Sequence, residues 1–230
     1  MPKGVVNVVQ GGKETVKQIC EHPDIKAVSF VGANEAGEYI YRTASNTGKR
    51  AQVNMGAKNM SIICPDAQKT DTINAIVGAC FGSSGQRCMA VSVAVMVGEA
   101  QEWIPEIVEK AKTLTMGPGV GDPDIGPMIT RAACDRAHEI ISKSESDGTK
   151  ILLDGRNAKV EGYPNGNWLG PTIIDHSKPG KISFDEEIFA PVMAIVRVDT
   201  LKEAIDILNG HKFGNGASIF TRSGGNARKF

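Results

Sequence analysis

Short β-branched runs alternate with amphipathic stretches along almost the whole of the 230-residue chain. Gly4–Val9 (GVVNVV) predicts a buried strand ending at Gly11-Gly12, and a short helix is expected over Lys13–Cys20. That helix stops at His22-Pro23, because proline disfavours helix in the residue before it. Lys26–Val31 predicts a second strand, Asn34 is a candidate cap for a helix over Glu35–Ser45, and Asn46-Thr47-Gly48 supplies its stop. Arg50–Val53 and Ser61–Cys64 predict further strands. Ile73, Ile76, Val77, Cys80 and Phe81 then fall on one stripe at three-four spacing, the signature of a helix with one buried face.

Beyond a glycine-rich loop, GSSGQRC, the same grammar continues. Val91–Val97 predicts a strand, Trp103–Ala111 an amphipathic helix and Thr130–Ser146 another, ended by Asp147-Gly148. Ile151–Leu153, Thr172–Ile174, Val192–Val198 and Ala217–Phe220 predict strands. Thr200-Leu-Lys-Glu203 is a capping box opening a helix that ends near Asn209-Gly210. Such alternation predicts an α/β fold, with a mostly parallel sheet flanked by helices. A chain that opens into one strand and stops just after another, in Arg-Lys-Phe, is expected to be shortened.

Charge narrows the partners. Lysines and arginines balance the acids, 26 against 26, so no net field suggests nucleic acid or an anionic membrane. The longest apolar runs are too short to span a bilayer, and Met-Pro-Lys-Gly-Val-Val does not read as a signal peptide. The five cysteines, at 20, 64, 80, 88 and 134, are odd in number and show no Cys-x-x-Cys spacing. A reducing, cytoplasmic setting is expected, without a disulfide framework or zinc site. The four histidines show no ligand-like spacing, and His138, on a charged helix, is expected to be solvated.

Three segments could carry chemistry. Cys88 lies in Gly82-Ser-Ser-Gly-Gln-Arg-Cys-Met, where glycines allow close backbone approach and Arg87 could favour the reactive thiolate. A small buried hydrophobe beside a solvated arginine fits the same residues, and Cys64 and Cys80 fit that description better. Gly32-Ala-Asn-Glu-Ala-Gly37 follows a strand and opens a helix, whose free N–H groups suit a pyrophosphate. It lacks the Gly-x-Gly-x-x-Gly pattern, so on these residues alone a plain strand–turn–helix connection is the default reading. Glu186-Glu187-Ile-Phe-Ala-Pro191 offers two carboxylates for acid–base work, or simply exposed turn charges.

Taken together, GVVNVVQGG, VSFVGA, NMGAKN, GQRCMA, GNWLGPTII, EEIFAPV and FGNGASIF resemble the aldehyde dehydrogenase superfamily in both order and spacing. Within it, GQRCMA and NMGAKN are similar to the methylmalonate- and malonate-semialdehyde dehydrogenases. The resemblance implies an aldehyde dehydrogenase-like catalytic domain at 55–230, incomplete at its C-terminal end, and the last part of a Rossmann-like NAD-binding domain at 1–54, keeping about three strands. It implies NAD as cofactor, coenzyme A as co-substrate and a small semialdehyde as substrate. The product would be propionyl-CoA or acetyl-CoA, with loss of CO₂.

By the same resemblance, Cys88 is the nucleophile, its own N–H serves the oxyanion, and Arg87 holds the substrate carboxylate. Asn54 stands where most relatives carry a glutamate that serves as general base for hydrolysis. Gly32 and Ala33 would meet the pyrophosphate, although the family usually has a hydroxyl residue at the position of Ala33. Met55 would approach the nicotinamide amide, Glu187 would hold the nicotinamide ribose, and Phe189 would pack nearby. Full-length relatives are homo-oligomeric, and a eukaryotic source would place the protein in the mitochondrial matrix. Two other readings stay open: a hydrolytic NAD(P)-dependent aldehyde dehydrogenase, which Asn54 argues against, and a fragment without catalysis of its own.

Overall fold

The computed structural model describes residues 1–230, which divide into two compact units, Met1–Gly56 and Ala57–Phe230. In the first, α1 (Lys13–Glu21), β1 (Ala27–Val31), α2 (Asn34–Asn46) and β2 (Arg50–Asn54) follow one another. β1 and β2 pair in parallel, with Ala27 opposite Arg50 and Val31 opposite Asn54. Cys20, Ile40 and Ala44 are buried, on the inner faces of the two helices.

The expected strand at Gly4–Val9 does not form. Val5, Val6, Val8 and Val9 are 61, 68, 81 and 72% exposed, and no strand lies beside them to complete a ladder. β-Branched side chains favour extended backbone, but a strand exists only when its N–H and C=O groups find a partner. This unit therefore holds two strands where about three were expected. Asn34 is also not the cap: Ala33 occupies that position without a side-chain bond, and Asn34 Oδ1 instead accepts the Gly56 N–H at 2.8 Å.

The second unit is built on a six-stranded sheet. Its elements are β3 (Asn59–Ile63), α3 (Lys69–Phe81), β4 (Val91–Val97), α4 (Ile104–Lys112), α5 (Arg131–Ser146), β5 (Lys150–Leu153), β6 (Thr172–Asp175), α6 (Ile182–Asp185), β7 (Val192–Val198), α7 (Leu201–Asn209), β8 (Ala217–Phe220) and α8 (Gly224–Lys229). The sheet runs β5-β6-β7-β4-β3-β8, and only the β5–β6 pairing is antiparallel. β3, β4 and β7 are almost wholly buried, as expected for strands covered on both faces. One core joins α3 and α4 to the sheet through Ile73, Ile76, Phe81, Ile104 and Ile107; a second lies under α7.

The Thr200–Glu203 capping box forms as expected, with reciprocal side-chain bonds. Two elements go beyond the sequence reading. α6 is a single turn, and α8 follows β8, so the chain ends in a helix capped by Ser223 rather than just after a strand. No helix is long and apolar enough to cross a membrane.

In a parallel sheet the amino-terminal ends of all strands share one edge. Asn59, Val91, Val192 and Ala217 open β3, β4, β7 and β8. The loops entering these strands, which carry Cys88, Glu187 and Asn215, are gathered at that edge.

Candidate active site

Cys88 is the one exposed cysteine; Cys20, Cys64, Cys80 and Cys134 are all buried. Burial pushes the thiol pKa of each of those four upward, Cys80 furthest, so they are kept as inert thiols. Cys64 and Cys80 thus sit in the core, as their apolar settings led one to expect.

The loop that leads into Cys88 is held by an unusual backbone. Ser83, Ser84 and Gly85 have φ of 53°, 56° and 63°, three successive left-handed residues. Such conformations cost about 1–3 kcal/mol each in residues with a side chain and persist only where the surroundings impose them. Ser84 Oγ donates to Gly126 O at 2.7 Å, and Gln86 Oε1 accepts the Ile129 N–H at 2.9 Å. Gly85 lies so close to the next segment that a Cβ there would sit 2.1 Å from Ala190 O.

A turn follows in which the Ala90 N–H donates to Arg87 O at 3.0 Å, with Cys88 and Met89 as its central residues. The Cys88 N–H donates to no group of the chain, whereas its carbonyl accepts from Asn59 Nδ2 at 2.8 Å and from Asn215 Nδ2 at 2.7 Å. Arg87 is exposed, with its guanidinium folded over Gly82, where a Cβ would come within 2.9 Å of Nη1.

Arg87, Cys88, Glu187 and Phe189 line one narrow cleft, floored by Cys80. The two neighbouring carboxylates diverge: Glu187 Oε1 accepts the Ala57 N–H at 3.2 Å, while Glu186 pairs with Lys212 at 3.3 Å. They are not an acid–base pair. Phe189 has φ of 55° and is exposed at the mouth. Cations hold the backbone of this segment from two sides. Buried Lys58 Nζ donates to Ser183 O at 2.9 Å and Glu186 O at 2.6 Å, and Arg136 donates to Glu187 O at 2.9 Å and Ile188 O at 3.2 Å. Burial lowers the Lys58 pKa to about 7, against the opposing pull of Cys80, Glu186, Glu187 and Asp185.

A larger cavity, of about 850 Å³, lies at the opposite, carboxyl edge of the sheet, around Gly98, Asp175, Arg197 and Asp199. It holds no cysteine, and its buried Asp175 is already paired with Arg197 at 2.7 Å. The one exposed thiol lies in the smaller cleft. His138, expected to be solvated, is half-buried with Nε2 3.7 Å from Cys134 Sγ.

In the first unit, Gly32 follows β1 and its N–H donates to Asn54 O at 3.1 Å, tying the ends of β1 and β2 together. A Cβ at Gly32 would meet the far end of the half-buried Phe30 ring at 2.5 Å, so a side chain there requires that ring to move. Ala33 caps α2 without a side-chain hydrogen bond, leaving the first N–H groups of a 13-residue helix open at its positive end. That is a fitting cradle for a pyrophosphate, though Glu35 in the first turn opposes an anion. The Met55 side chain lies over Gly37, where a Cβ would come within 2.4 Å of Met55 Cγ, and Asn54 is exposed at the end of β2.

Residues 1–230 match the aldehyde dehydrogenase family from end to end. The chain belongs to the aldehyde dehydrogenase family. Over all 230 residues it is 52% identical to the mitochondrial acylating methylmalonate-semialdehyde/malonate-semialdehyde dehydrogenase of Bos taurus, covering 43% of that protein. Its fold matches the methylmalonate-semialdehyde dehydrogenase of Oceanimonas doudoroffii at a TM-score of 0.96 and 46% identity, over 100% of this chain and 48% of that one. It also matches a 1-pyrroline-5-carboxylate dehydrogenase from Thermus with bound NAD, at a TM-score of 0.85 and 27% identity, over 91% of this chain and 41% of that one. The chain thus spans less than half the length of the relatives it matches. An α/β aldehyde dehydrogenase fold with a mostly parallel sheet was the sequence expectation, and it is the fold observed.

Asn59, Asn215, Lys58 and Arg136 were not singled out as site residues in the sequence. Asn59 and Asn215 do lie inside the quoted motifs NMGAKN and FGNGASIF, the only signal that pointed to them.

Proposed function

We propose that this chain carries the nucleophile and part of the cofactor site of an NAD-dependent, CoA-acylating methylmalonate- or malonate-semialdehyde dehydrogenase. The observation that carries the reading is the solitary exposed thiol of Cys88, set in a cleft with Arg87, Glu187 and Phe189 while every other thiol is buried. Similarity to the acylating bovine enzyme supports the reaction class.

Cys88 Sγ attacks the aldehyde carbon, and the open Cys88 N–H donates to the oxygen that becomes negative. Arg87, exposed beside the thiol, offers a two-point fork to the carboxylate of the semialdehyde. Residues fitted to NAD are Gly32 and Ala33 for the pyrophosphate, Met55 for the nicotinamide amide, Glu187 for the ribose hydroxyls and Phe189 for packing. NAD held by these residues would supply the hydride acceptor for the thiohemiacetal carbon. Cys88 then holds a thioester.

Asn54 decides how that thioester is released. An amide cannot take a proton from water at neutral pH, so hydrolysis lacks a base at this position. A thiol with a pKa near 8.5 is already about a few per cent thiolate at pH 7 and needs none. The CoA sulfur attacks the acyl carbon, Cys88 Sγ leaves, and an acyl-CoA departs after the malonyl-type group has lost CO₂.

The nucleophile assignment is tested by brief labelling with limiting iodoacetamide, followed by peptide mapping. Cys88 should carry nearly all the label; preferential labelling of Cys20 or Cys134 would remove the basis of the proposal.

A further inference from the structure

We infer that Asn59 and Asn215 are positioning residues for Cys88: their two side-chain amides clamp its carbonyl and hold the turn that carries both its sulfur and its free N–H. The inference rests on the proposed role of Cys88 as nucleophile and adds how the fold keeps it aimed.

The turn is closed by the bond from the Ala90 N–H to Arg87 O. That bond uses neither end of the Cys88–Met89 peptide at its centre. Turn types I and II differ in the orientation of this central peptide, so the closing bond alone does not decide it. Here the Cys88 carbonyl receives Asn59 Nδ2 at 2.8 Å and Asn215 Nδ2 at 2.7 Å, from two separate segments. With the carbonyl held, the torsion that links it to the Cys88 Cα is held too.

Backbone partners dictate which way each amide faces. The Gly216 N–H can only donate, and it meets Asn59 Oδ1 at 2.8 Å; Ala90 O can only accept, and it meets Asn59 Nδ2 at 2.8 Å. Asn215 Nδ2 also donates to Asn59 Oδ1 at 3.1 Å, joining the two clamps. Asn59 is 4% exposed and opens β3, the strand lying between β4 and β8. One strand register therefore brings Asn59 to the loop of Cys88 on one side and to Asn215 on the other. Asn215 adopts φ of 104°, a conformation that favours glycine. An asparagine kept at such a position is consistent with a use for its side chain.

Two reactions separate positioning of the nucleophile from mere support of the loop. p-Nitrophenyl acetate acylates the thiol: the S–C bond forms, an oxyanion develops and p-nitrophenolate leaves. Iodoacetamide alkylates the same sulfur by displacing iodide at a saturated carbon, with no oxyanion. A clamp that keeps the Cys88 turn, and with it the direction of the open Cys88 N–H toward a bound ester, fixed matters to the first reaction and little to the second.

The test uses the 230-residue chain without NAD, with both rates at Cys88 followed by peptide mapping. In Asn215→Gly, which suits the positive φ, acylation should fall by about tenfold or more while alkylation stays within about twofold. Asn59→Ala, which removes the other donor, should show the same split. Acylation unchanged in both variants would overturn the clamp, as would acylation and alkylation falling together, the mark of a merely structural role. Wild-type chain acylated no faster than Cys88→Ser would overturn the nucleophile reading itself and the clamp with it.

Discussion

The fully buried ammonium of Lys58 donates to the backbone carbonyl of Glu186 at 2.6 Å, one residue ahead of Glu187. With its second bond to Ser183 O, it holds the segment on which Glu187 and Phe189 stand. Burial lowers its pKa to about 7, below the roughly 10.4 of an unfolded lysine. Between those values the unfolded chain binds more protons, so this group makes folding more favourable as pH rises from 7 toward 10. Urea unfolding of wild type and Lys58→Met should show the difference between them shifting in favour of wild type from pH 6.5 to 8.5. The comparison matters because the four buried cysteines act oppositely: their raised pKa values make stability fall above about pH 8.5 in both proteins. A constant difference would mean that Lys58 does not titrate in this window.

Gly85 gives a second prediction. Its φ is +63° and a Cβ would lie 2.1 Å from Ala190 O, so both conformation and space exclude a side chain. Gly85→Ala should cost about 2 kcal/mol or more in urea unfolding, since a left-handed residue with a side chain already costs about 1–3 kcal/mol. It should also slow alkylation of Cys88, because the strand-entry loop must shift. An alanine variant as stable as wild type would contradict the packing described.

Much of this arrangement was legible in the sequence, and the reasons differ by residue. Cys88 stood out in a glycine loop beside Arg87, although a small buried hydrophobe fitted the same residues and only the family resemblance chose between them. Cys64 and Cys80 read as core from their apolar settings. Lys58 escaped notice because lysine is taken as exposed, and only the fold shows two carbonyls converging on it. Asn59 and Asn215 are 156 positions apart, and nothing short of the β3–β8 register brings them together. The Gly4–Val9 run failed for a simple reason: local β propensity does not supply the neighbouring strand.

Arg87 should select substrates that carry a carboxylate. A charge-assisted pair contributes about 1.5–3 kcal/mol, roughly ten- to a hundredfold in affinity. In a chain extended to the length of its relatives, Arg87→Leu should raise KM for malonate semialdehyde by that factor and leave KM for propanal nearly unchanged. Equal losses on both aldehydes would place the effect on Cys88 instead of the substrate.

In the proposed reaction, residue 54 governs the fate of the acyl group. Asn54→Glu in the same extended chain should move the product balance toward free acid, because a carboxylate can take the proton of an attacking water. No free acid from that variant, with acyl-CoA still formed, would show that water does not reach the thioester from that side.

The central claim, release of the Cys88 thioester to CoA rather than to water, is tested most directly by product analysis in that extended chain. NADH and acyl products are followed together, with malonate semialdehyde and NAD, in the presence and absence of CoA. The account predicts steady NADH formation with stoichiometric acetyl-CoA when CoA is present, and a single turnover ending in acylated Cys88 when it is absent. Undiminished NADH formation without CoA, with free acid accumulating, would contradict it.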